Sequence, residues 1–356
     1  MTRIMVVGAS GVLGKLVCDE LLRIFNNELN LVITDYKTER GKKLARSFNN
    51  EVEFRYLDVN SEECVMKVIK DIDIVIVVIK QQNPNIQNVC ITRCIICIDV
   101  TPFFDFVGKV KRLEQNELKN GVCSIVMSGF FPGLSGLMIK KVATDFDDIT
   151  EINVGLLQNT NAKAGLSGIL DMLKIISHPV YNNDNIVAGF TKKRKLMFLG
   201  YDIEHEVRLI EHAEKNHFYE EFKTRNINYW TSWNNEISNA LISLLRKIGV
   251  LDRVQKFNEN KLLANLVKHN PNKNEHAYLS VEVKGIINKQ TCVKTLAVAT
   301  FSDYYTTAMV TATLAKIVQN KEIKGVVLPS DITNFDEIIA KMNCPDITFK
   351  EINRLV

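Results

Sequence analysis

The sequence lacks any uninterrupted apolar stretch that approaches the length of a membrane span, which takes about 20 residues. It has no internal repeat and no low-complexity linker, and no apolar leader separates Met1 from the first apolar strand pattern. Charged residues make up 24% and apolar residues 46% of the chain, which excludes a disordered or fibrous protein. We therefore expect a globular, cytoplasmic protein that does not bind a membrane.

A large excess of one charge is also absent. The chain has 45 basic and 41 acidic residues, a formal net charge of +4. The one dense basic run is Lys192 to Lys195, and an isolated short run of this kind is typical of a solvated surface segment. We expect no nucleic-acid partner.

The eight cysteines are scattered through long apolar segments, unlike the disulfide framework of a short secreted protein. We interpret them as reduced thiols. Cys90, Cys94 and Cys97 have the spacing that radical enzymes use for an iron–sulfur cluster, but the interval is mostly apolar, so core packing is favoured. Three histidines are spaced too irregularly to form a metal-binding face on a helix: His205, His212 and His217. No metal site is predicted.

At 356 residues the chain exceeds what one hydrophobic core usually holds, so two domains are expected. In its first third, apolar runs alternate with amphipathic ones, which is typical of a parallel sheet covered by helices. The apolar runs are nearly continuous, which indicates strands buried on both faces. Strands are predicted at residues 4–7, 29–34, 52–57, 72–79, 95–100 and 122–127, and helices at 16–24, 62–70, 85–91 and 104–119.

A glycine-rich stretch joins the first predicted strand to the first predicted helix. Glycines let a backbone turn sharply and approach a pyrophosphate, while the N–H groups of the first helical turn point at its negative charge. The second strand ends on Asp35, 21 residues after Gly14, and an acid about 20 residues on is expected in a dinucleotide site. The combination predicts an α/β fold with a Rossmann doubly wound parallel sheet. Its phosphate-binding turn would consist of Gly8, Ala9, Ser10, Gly11, Val12, Leu13 and Gly14.

The ligand of a doubly wound sheet lies across the carboxyl ends of the strands. The residues at the carboxyl ends of the predicted strands are therefore candidates for the cofactor rim. We expect NAD or NADP, with NAD favoured because Asp35 would accept from the ribose 2′-hydroxyl and repel a 2′-phosphate, although Lys37 and Arg40 could offset that charge. The rim comprises Asp35, Tyr36, Asp58, Val59, Lys80, Gln81, Asp99, Val100 and Thr101.

The pattern changes after the sixth predicted strand. Residues 128–136 form a small-residue loop that we interpret as the crossing to a second domain. Beyond it, the alternation over 278–284 indicates a sheet with one solvated face, paired through a turn at 288–290 with 295–300. This second domain is predicted to be mixed α+β. The remaining elements are a strand at 151–157, a helix at 165–176, a helix at 237–248 that ends at Gly249, and helices at 306–318 and 334–341.

Three segments carry a resemblance that spans nearly the whole chain: Gly8 to Gly14, the loop Gly129 to Gly136, and the ending Thr307-Ala308 with 325–329. On these the chain resembles the saccharopine dehydrogenase-like family of NAD(P)-dependent oxidoreductases. The resemblance implies hydride transfer. The best-known members make or break a secondary amine between two amino-acid skeletons through an imine, and others act on polyamine precursors or enoyl groups.

The resemblance also implies a cleft between cofactor domain and partner domain, and a small amino-acid-like substrate that bears carboxylates. In place of the family's paired-glycine-threonine run this chain has residues 163–168, so lysine biosynthesis is not assigned. We predict domains at 1–128 joined by the returning segment 302–356, and at 129–301. We expect a homodimer.

Hydride transfer to an imine or carbonyl needs a group that trades a proton, and cations that hold substrate carboxylates. Asp99 ends the fifth predicted strand, near the expected nicotinamide position. Lys163 follows a second-domain strand and is a candidate carboxylate ligand. His178 precedes a proline and is a candidate proton donor.

Two alternatives stay open. A short-chain dehydrogenase uses a tyrosine with a lysine four residues on, and Tyr219 and Lys223 have that spacing, but they lie about a hundred residues beyond the expected place. A dinucleotide-binding redox sensor without catalytic activity is the other alternative. It would need no convergent polar groups opposite the nicotinamide.

Overall fold

The computed structural model describes residues 1–48, 52–163, 166–182, 185–224, 226–249 and 269–355. Its strands are β1 (Thr2–Val7), β2 (Leu29–Asp35), β3 (Glu53–Tyr56), β4 (Ile74–Val77), β5 (Ile96–Asp99), β6 (Cys123–Ile125), β7 (Asp148–Gln158), β8 (Pro179–Asn182), β9 (Asn185–Ala188), β10 (Lys193–Leu196), β11 (His205–Ile210), β12 (Ile227–Trp233), β13 (Ala277–Ile287), β14 (Gln290–Thr300), β15 (Gly325–Val327) and β16 (Thr348–Leu355). Its helices are α1 (Val12–Phe25), α2 (Thr38–Ser47), α3 (Glu62–Val68), α4 (Asn85–Arg93), α5 (Phe104–Lys111), α6 (Glu114–Asn120), α7 (Leu134–Ala143), α8 (Leu166–Ser177), α9 (Lys215–Phe222), α10 (Glu236–Lys247), α11 (Asp303–Val318), α12 (Pro329–Ile332) and α13 (Phe335–Met342), with a short 3₁₀ turn at Asn26–Glu28.

The first sheet has the strand order β15-β6-β5-β4-β1-β2-β3. Every pairing in it is parallel. The order reverses at β1, from which the sheet runs through β2 to one edge and through β4 to the other. This is the predicted doubly wound α/β sheet, and the reversal marks where such sheets bind ligands.

The strands of this sheet are apolar because helices cover both faces. Ile4 and Val6 of β1 are fully buried, as are Val75 and Val77 of β4. On one face, β4 packs against α3 and α4 through a cluster that includes Val65 and Ile86. Burial of these side chains favours folding by roughly 25 cal/mol for each Å² of apolar surface removed from water.

The chain divides into two compact units. The first comprises Met1–Leu137 and Tyr304–Asn343, and the second Met138–Asp303 and Cys344–Val356. The predicted domains differ from this division in two places. The change of unit falls within α7, whereas the prediction puts it after residue 128, and the predicted segment 302–356 divides between the first unit (Tyr304–Asn343) and the second (Cys344–Val356).

The last strand, β16, belongs to the second unit because it forms hydrogen bonds with the edge of the second sheet. β16 pairs antiparallel with β14 from Thr348 opposite Ala299 to Leu355 opposite Cys292. β15, in contrast, adds to the first sheet beside β6. Two short terminal strands thus extend different sheets, because each pairs with the free edge that its position in the fold makes available.

The second sheet is mixed, as predicted, with the order β10-β11-β12-β7-β13-β14-β16. β7 pairs parallel with β12 and antiparallel with β13. The hairpin of β13 and β14 turns at Asn288 and Lys289, whose φ angles are 50° and 67°. Two consecutive left-handed residues match the twist of the flanking strands, which explains this two-residue turn.

The predicted helix at 237–248 is α10 in the structure, and four of the apolar residues that predicted it are exposed: Ile237, Leu241, Leu244 and Ile248. α10 begins where the Asn235 side chain accepts from the amides of Ile237 and Ser238. The predicted helix over 104–119 is two helices, α5 and α6, in the structure. Among the described residues, no helix is both long enough and apolar enough to cross a membrane.

Candidate functional site

The turn between β1 and α1 uses each of its glycines for a different reason. Gly8 has a φ of 91°, which favours glycine, and a Cβ there would lie 2.1 Å from Cγ2 of Ile79. A Cβ on Gly14 would lie 2.2 Å from the carbonyl oxygen of Gly8, so the helix could not pack this closely with a larger residue. These two glycines are required by the fold itself.

Gly11 is different because the protein leaves room for a side chain there. Its backbone is extended, with φ −72° and ψ 168°. A Cβ on it would meet only the carbonyl oxygen of Gly8, at an ordinary contact distance of 3.4 Å. The residue is exposed, so a glycine here leaves space for a group outside the protein to approach the backbone.

The start of α1 is suited to a phosphate. Gly11 caps the helix with no side-chain hydrogen bond, and the first turn contains no acidic residue. Its amides therefore carry the positive end of the helix dipole toward solvent. Val12 is exposed, Ser10 and Leu13 are half-buried, and Ala9 is buried. The predicted phosphate turn fits a pyrophosphate.

At the end of β2, Asp35 is tied to Arg40 in a bidentate ion pair. Nε of Arg40 donates to Oδ2 at 2.6 Å and Nη2 donates to Oδ1 at 2.7 Å. The backbone amide of Lys37 donates to Oδ1 at 2.8 Å. Burial raises the pKa of Asp35, but the hydrogen bonds from Arg40 and from the Lys37 amide outweigh it and leave the pKa lowered. The carboxylate is held ionised.

An exposed aromatic ring lies beside this pair. Tyr36 is 60% exposed, and the Arg40 guanidinium carbon lies 5.2 Å from the ring centroid. Nζ of Lys37 lies 5.5 Å from the same ring. Cations over an aromatic face attract it, so the end of β2 presents a ring and two positive groups around one neutralised acid.

Asp58 and Val59, which follow β3, take part in loop hydrogen bonds. Oδ1 of Asp58 accepts from the amide of Asn60 at 3.0 Å. The carbonyl of Val59 accepts from Nδ2 of Asn85, the first residue of α4, at 3.1 Å. Asn85 thus joins the ends of β3 and β4, a connection that sequence spacing alone does not indicate.

At the ends of β4 and β5, Asp99 is enclosed by donors. Its Oδ1 accepts from the Thr101 amide at 2.7 Å. Its Oδ2 accepts from Nε2 of Gln87 at 2.9 Å and from Nε2 of Gln81 at 3.2 Å. Burial raises the pKa of Asp99 to about 6, opposed by the hydrogen bonds from Thr101, Gln87 and Gln81. Asp99 is 1% exposed, and both of its oxygens accept hydrogen bonds from within the protein.

Gln87 is a site residue that the sequence analysis missed. It is fully buried although it lies in α4, between Ile86 and Val89 of the core. An amide in an otherwise apolar helical face is the available signal, because buried polar groups need partners. Lys80 was identified, and its Nζ lies 4.2 Å from the ring centroid of Phe103.

The other predicted catalytic residues belong to the second unit. Lys163 follows β7 and is exposed, and its backbone amide donates to Oε2 of Glu275 at 2.9 Å. His178 lies between α8 and β8 and is exposed. Of the adjoining loop over 163–167, residues 164 and 165 lie outside the described ones.

The alternative motifs also receive positions. Tyr219 lies in α9 and Lys223 follows that helix, and both residues belong to the second unit, whereas the first sheet belongs to the first. Cys90 and Cys97 are buried and Cys94 is exposed. In the part of the chain that the structure describes, no group of three histidine, cysteine, aspartate or glutamate side chains is placed to hold a metal ion.

Comparisons with known proteins address the fold and the first domain. Residues 4–120 match the family described as saccharopine dehydrogenase NADP binding domain. No curated protein sequence matches the chain. Among solved structures, apo saccharopine dehydrogenase (L-Glu forming) from Saccharomyces cerevisiae is similar with a TM-score of 0.73 at 13% identity, over 99% of this chain and 100% of that one.

A second solved structure, C. glutamicum DAP dehydrogenase in complex with DAP, has a TM-score of 0.50 at 11% identity and covers 95% of this chain and 98% of that one. At such low identity both likenesses show the fold alone. The glycine turn and the match over residues 4–120 agree on a nicotinamide-dinucleotide domain. Residues 4–120 thus match the saccharopine dehydrogenase NADP-binding domain family, and the predicted resemblance to saccharopine dehydrogenase-like proteins is confirmed.

Proposed function

We propose that this protein is an NAD(P)-dependent oxidoreductase that transfers a hydride between nicotinamide and an imine or carbonyl carbon of a carboxylate-bearing, amino-acid-like substrate. The observation that carries the proposal is the position of Gly11. The fold leaves room there for a side chain, whereas a bound pyrophosphate would not. The family match over residues 4–120 supports the cofactor class. The substrate class rests on the resemblance.

Within the first unit, the residues present fit the cofactor. The turn from Gly8 to Gly14 would bind the pyrophosphate with backbone amides. The end of β2 would bind the adenosine ribose, because an acid or a nearby arginine at this place contacts the ribose or its 2′-phosphate. When bound, the nicotinamide supplies the hydride acceptor or donor, and the protein orients it and excludes water.

The cofactor preference follows from how Asp35 is paired. The expectation of NAD rests on the negative charge of that carboxylate. Arg40 neutralises the charge with two hydrogen bonds and remains half-exposed, so its guanidinium is available to a phosphate, which it suits in charge and shape. We infer that NADP(H) binds more tightly than NAD(H).

The roles of the second-unit residues rest on the sequence. Lys163 would bind a substrate carboxylate, and His178 would exchange a proton with the reacting nitrogen or oxygen. Asp99 has both oxygens engaged within the protein. We therefore assign it to positioning rather than to proton transfer.

The engagement of Asp99 is also what a redox sensor would show, since a sensor needs no proton donor at the nicotinamide. The two functions differ in turnover. The test is a screen of oxo acids in the presence of amines, with NADPH or NADH oxidation followed by absorbance. Turnover by the purified protein that disappears in Gly11→Val supports the oxidoreductase, whereas tight dinucleotide binding with no turnover in the whole panel supports the sensor.

A further inference from the structure

One buried polar atom beside Asp99 has no partner in the described part of the chain. It is Oε1 of Gln81, the carbonyl oxygen of an amide that is 5% exposed. The Nε2 atom of the same amide is engaged twice, with Oδ2 of Asp99 at 3.2 Å and with Oε1 of Gln87 at 3.3 Å. A buried acceptor left without a donor costs free energy comparable to a lost hydrogen bond.

The orientation of the Gln81 amide follows from its neighbours. An ionised carboxylate accepts hydrogen bonds only, so the amide that faces Asp99 must present its NH₂ group. Gln87 also presents its NH₂ to the same Oδ2 and offers Oε1 to Gln81. Both partners therefore require the NH₂ end of Gln81, and its carbonyl oxygen is the end that remains available to a donor.

The position of Gln81, in the segment that follows β4, indicates what that donor is. The amide of Val78 donates to the carbonyl of Val7 at 3.1 Å, and the amide of Val100 donates to the carbonyl of Val77 at 3.2 Å. The segment after β4 thus lies between the end of β1, where the glycine turn begins, and the end of β5. With the adenosine bound at the end of β2, on one side of the turn, the second nucleotide of a dinucleotide lies on this other side.

We propose that Gln81 binds the carboxamide of the nicotinamide by accepting a hydrogen bond from its N–H, with Asp99 and Gln87 as positioning residues that hold the Gln81 carbonyl toward it. The inference rests on the proposed cofactor. It adds the residue that recognises the carboxamide and so orients the ring. The carboxamide is the only N–H donor on the nicotinamide ring, and Oε1 is the atom of the Gln81 amide that has no donor among the described residues.

The test compares two dinucleotides that differ only at this group. NADP⁺ has the carboxamide, and its 3-acetylpyridine analogue has an acetyl group that keeps the carbonyl but lacks the N–H. Titration calorimetry measures the Kd of each for the wild-type protein, for Gln81→Met and for the matched control Gln82→Met, whose side chain is exposed.

We expect the wild type to bind NADP⁺ about tenfold more tightly than the analogue, as for one buried hydrogen bond. Gln81→Met should remove this preference by weakening NADP⁺ alone, and Gln82→Met should keep it. Equal wild-type affinities for the two dinucleotides would overturn the inference without any variant, and so would equal losses for both in Gln81→Met.

Asp99→Asn tests the positioning role. Asparagine offers an NH₂ group that pairs with a glutamine carbonyl, so the Gln81 amide should turn over and present a donor. The preference for the carboxamide should then fall as in Gln81→Met, and a retained preference would contradict the positioning role. If the wild type bound neither dinucleotide, the proposed function would fail together with this inference, whereas equal binding of both removes the inference alone.

Discussion

Two aspartates end strands of the same parallel sheet, and their pKa values are shifted in opposite directions. Asp35, at the end of β2, pairs with a half-exposed arginine, and its pKa is lowered. Asp99, at the end of β5, is surrounded by amides, and its pKa is raised to about 6. The topology gives both the same kind of place, so the partner and the access to water decide the difference.

The two aspartates suit different ligand groups: the pair of Asp35 and Arg40 suits a charged group, and the amides around Asp99 suit a neutral hydrogen-bonding group. An arginine paired through one face keeps positive charge at the rim, where a phosphate can reach it. An enclosed carboxylate among amides offers no charge to a ligand, but it holds those amides in one orientation. Under the proposed function, one end would bind the adenosine 2′-phosphate and the other the neutral carboxamide of the nicotinamide.

The largest effect on dinucleotide binding is expected from blocking the glycine turn between β1 and α1. Gly11→Val should weaken dinucleotide binding by about 1,000-fold, because the branched side chain would occupy the path of the pyrophosphate. The thermal midpoint should change little, since a Cβ meets only ordinary contacts there. Gly14→Val is the control that should destabilise the protein, and calorimetry together with thermal denaturation reads both. Near-native affinity in Gly11→Val would show that this turn is not the phosphate site.

The pKa of Asp99 predicts a pH-dependent stability of the first unit. Its folded pKa, about 6, lies above the ordinary value of 3.8, so folding favours the protonated form. The contribution is present in full below pH 3.8 and is lost as the pH rises through 6, with a size of up to about 3 kcal/mol. Denaturant unfolding from pH 4 to 7 should show the wild type losing stability relative to Asp99→Asn. A constant difference between the two proteins across this range would contradict the assignment.

The Arg40 pair predicts a selective loss at the other end. Arg40→Ala should weaken NADPH about tenfold and NADH less than about threefold, because it removes a phosphate partner and leaves Asp35 unpaired. Arg40→Lys keeps the charge without the fork and should fall between. Lys37→Ala is a control for general positive charge. If NADH lost as much affinity as NADPH, the pair would serve the local fold rather than the 2′-phosphate.

The smallest expected effect on activity comes from Lys163, which belongs to the second unit and not to the ends of β2 or β5. Lys163→Ala should raise the KM for a carboxylate-bearing substrate about fivefold and leave kcat nearly unchanged, as when ground-state and transition-state binding are lost equally. The Kd of the dinucleotide should not move. A fall in kcat with an unchanged KM would assign Lys163 to another role.

Much of the first domain was predictable because its signals are local. The parallel strands, the glycine turn and α1 depend on apolar runs and on residue types a few positions apart, and the structure has them. The split of residues 104–119 into α5 and α6 was not predicted, nor was the assignment of the two terminal strands to different sheets. Strand pairing over a long sequence separation depends on which edge is free, and composition does not show this.

By itself, the sequence determined that a dinucleotide turn stands between β1 and α1 and that acids end β2 and β5. These facts need only the covalent order of residues and the stiffness of glycine-containing turns. The tertiary structure decided that Arg40 pairs with Asp35, that Gln81 and Gln87 converge on Asp99, and that Oε1 of Gln81 has no partner among the described residues. Hydrogen bonds and burial are properties of distances in space, and residues 18 positions apart in the chain, such as Gln81 and Asp99, meet only once the strands have paired.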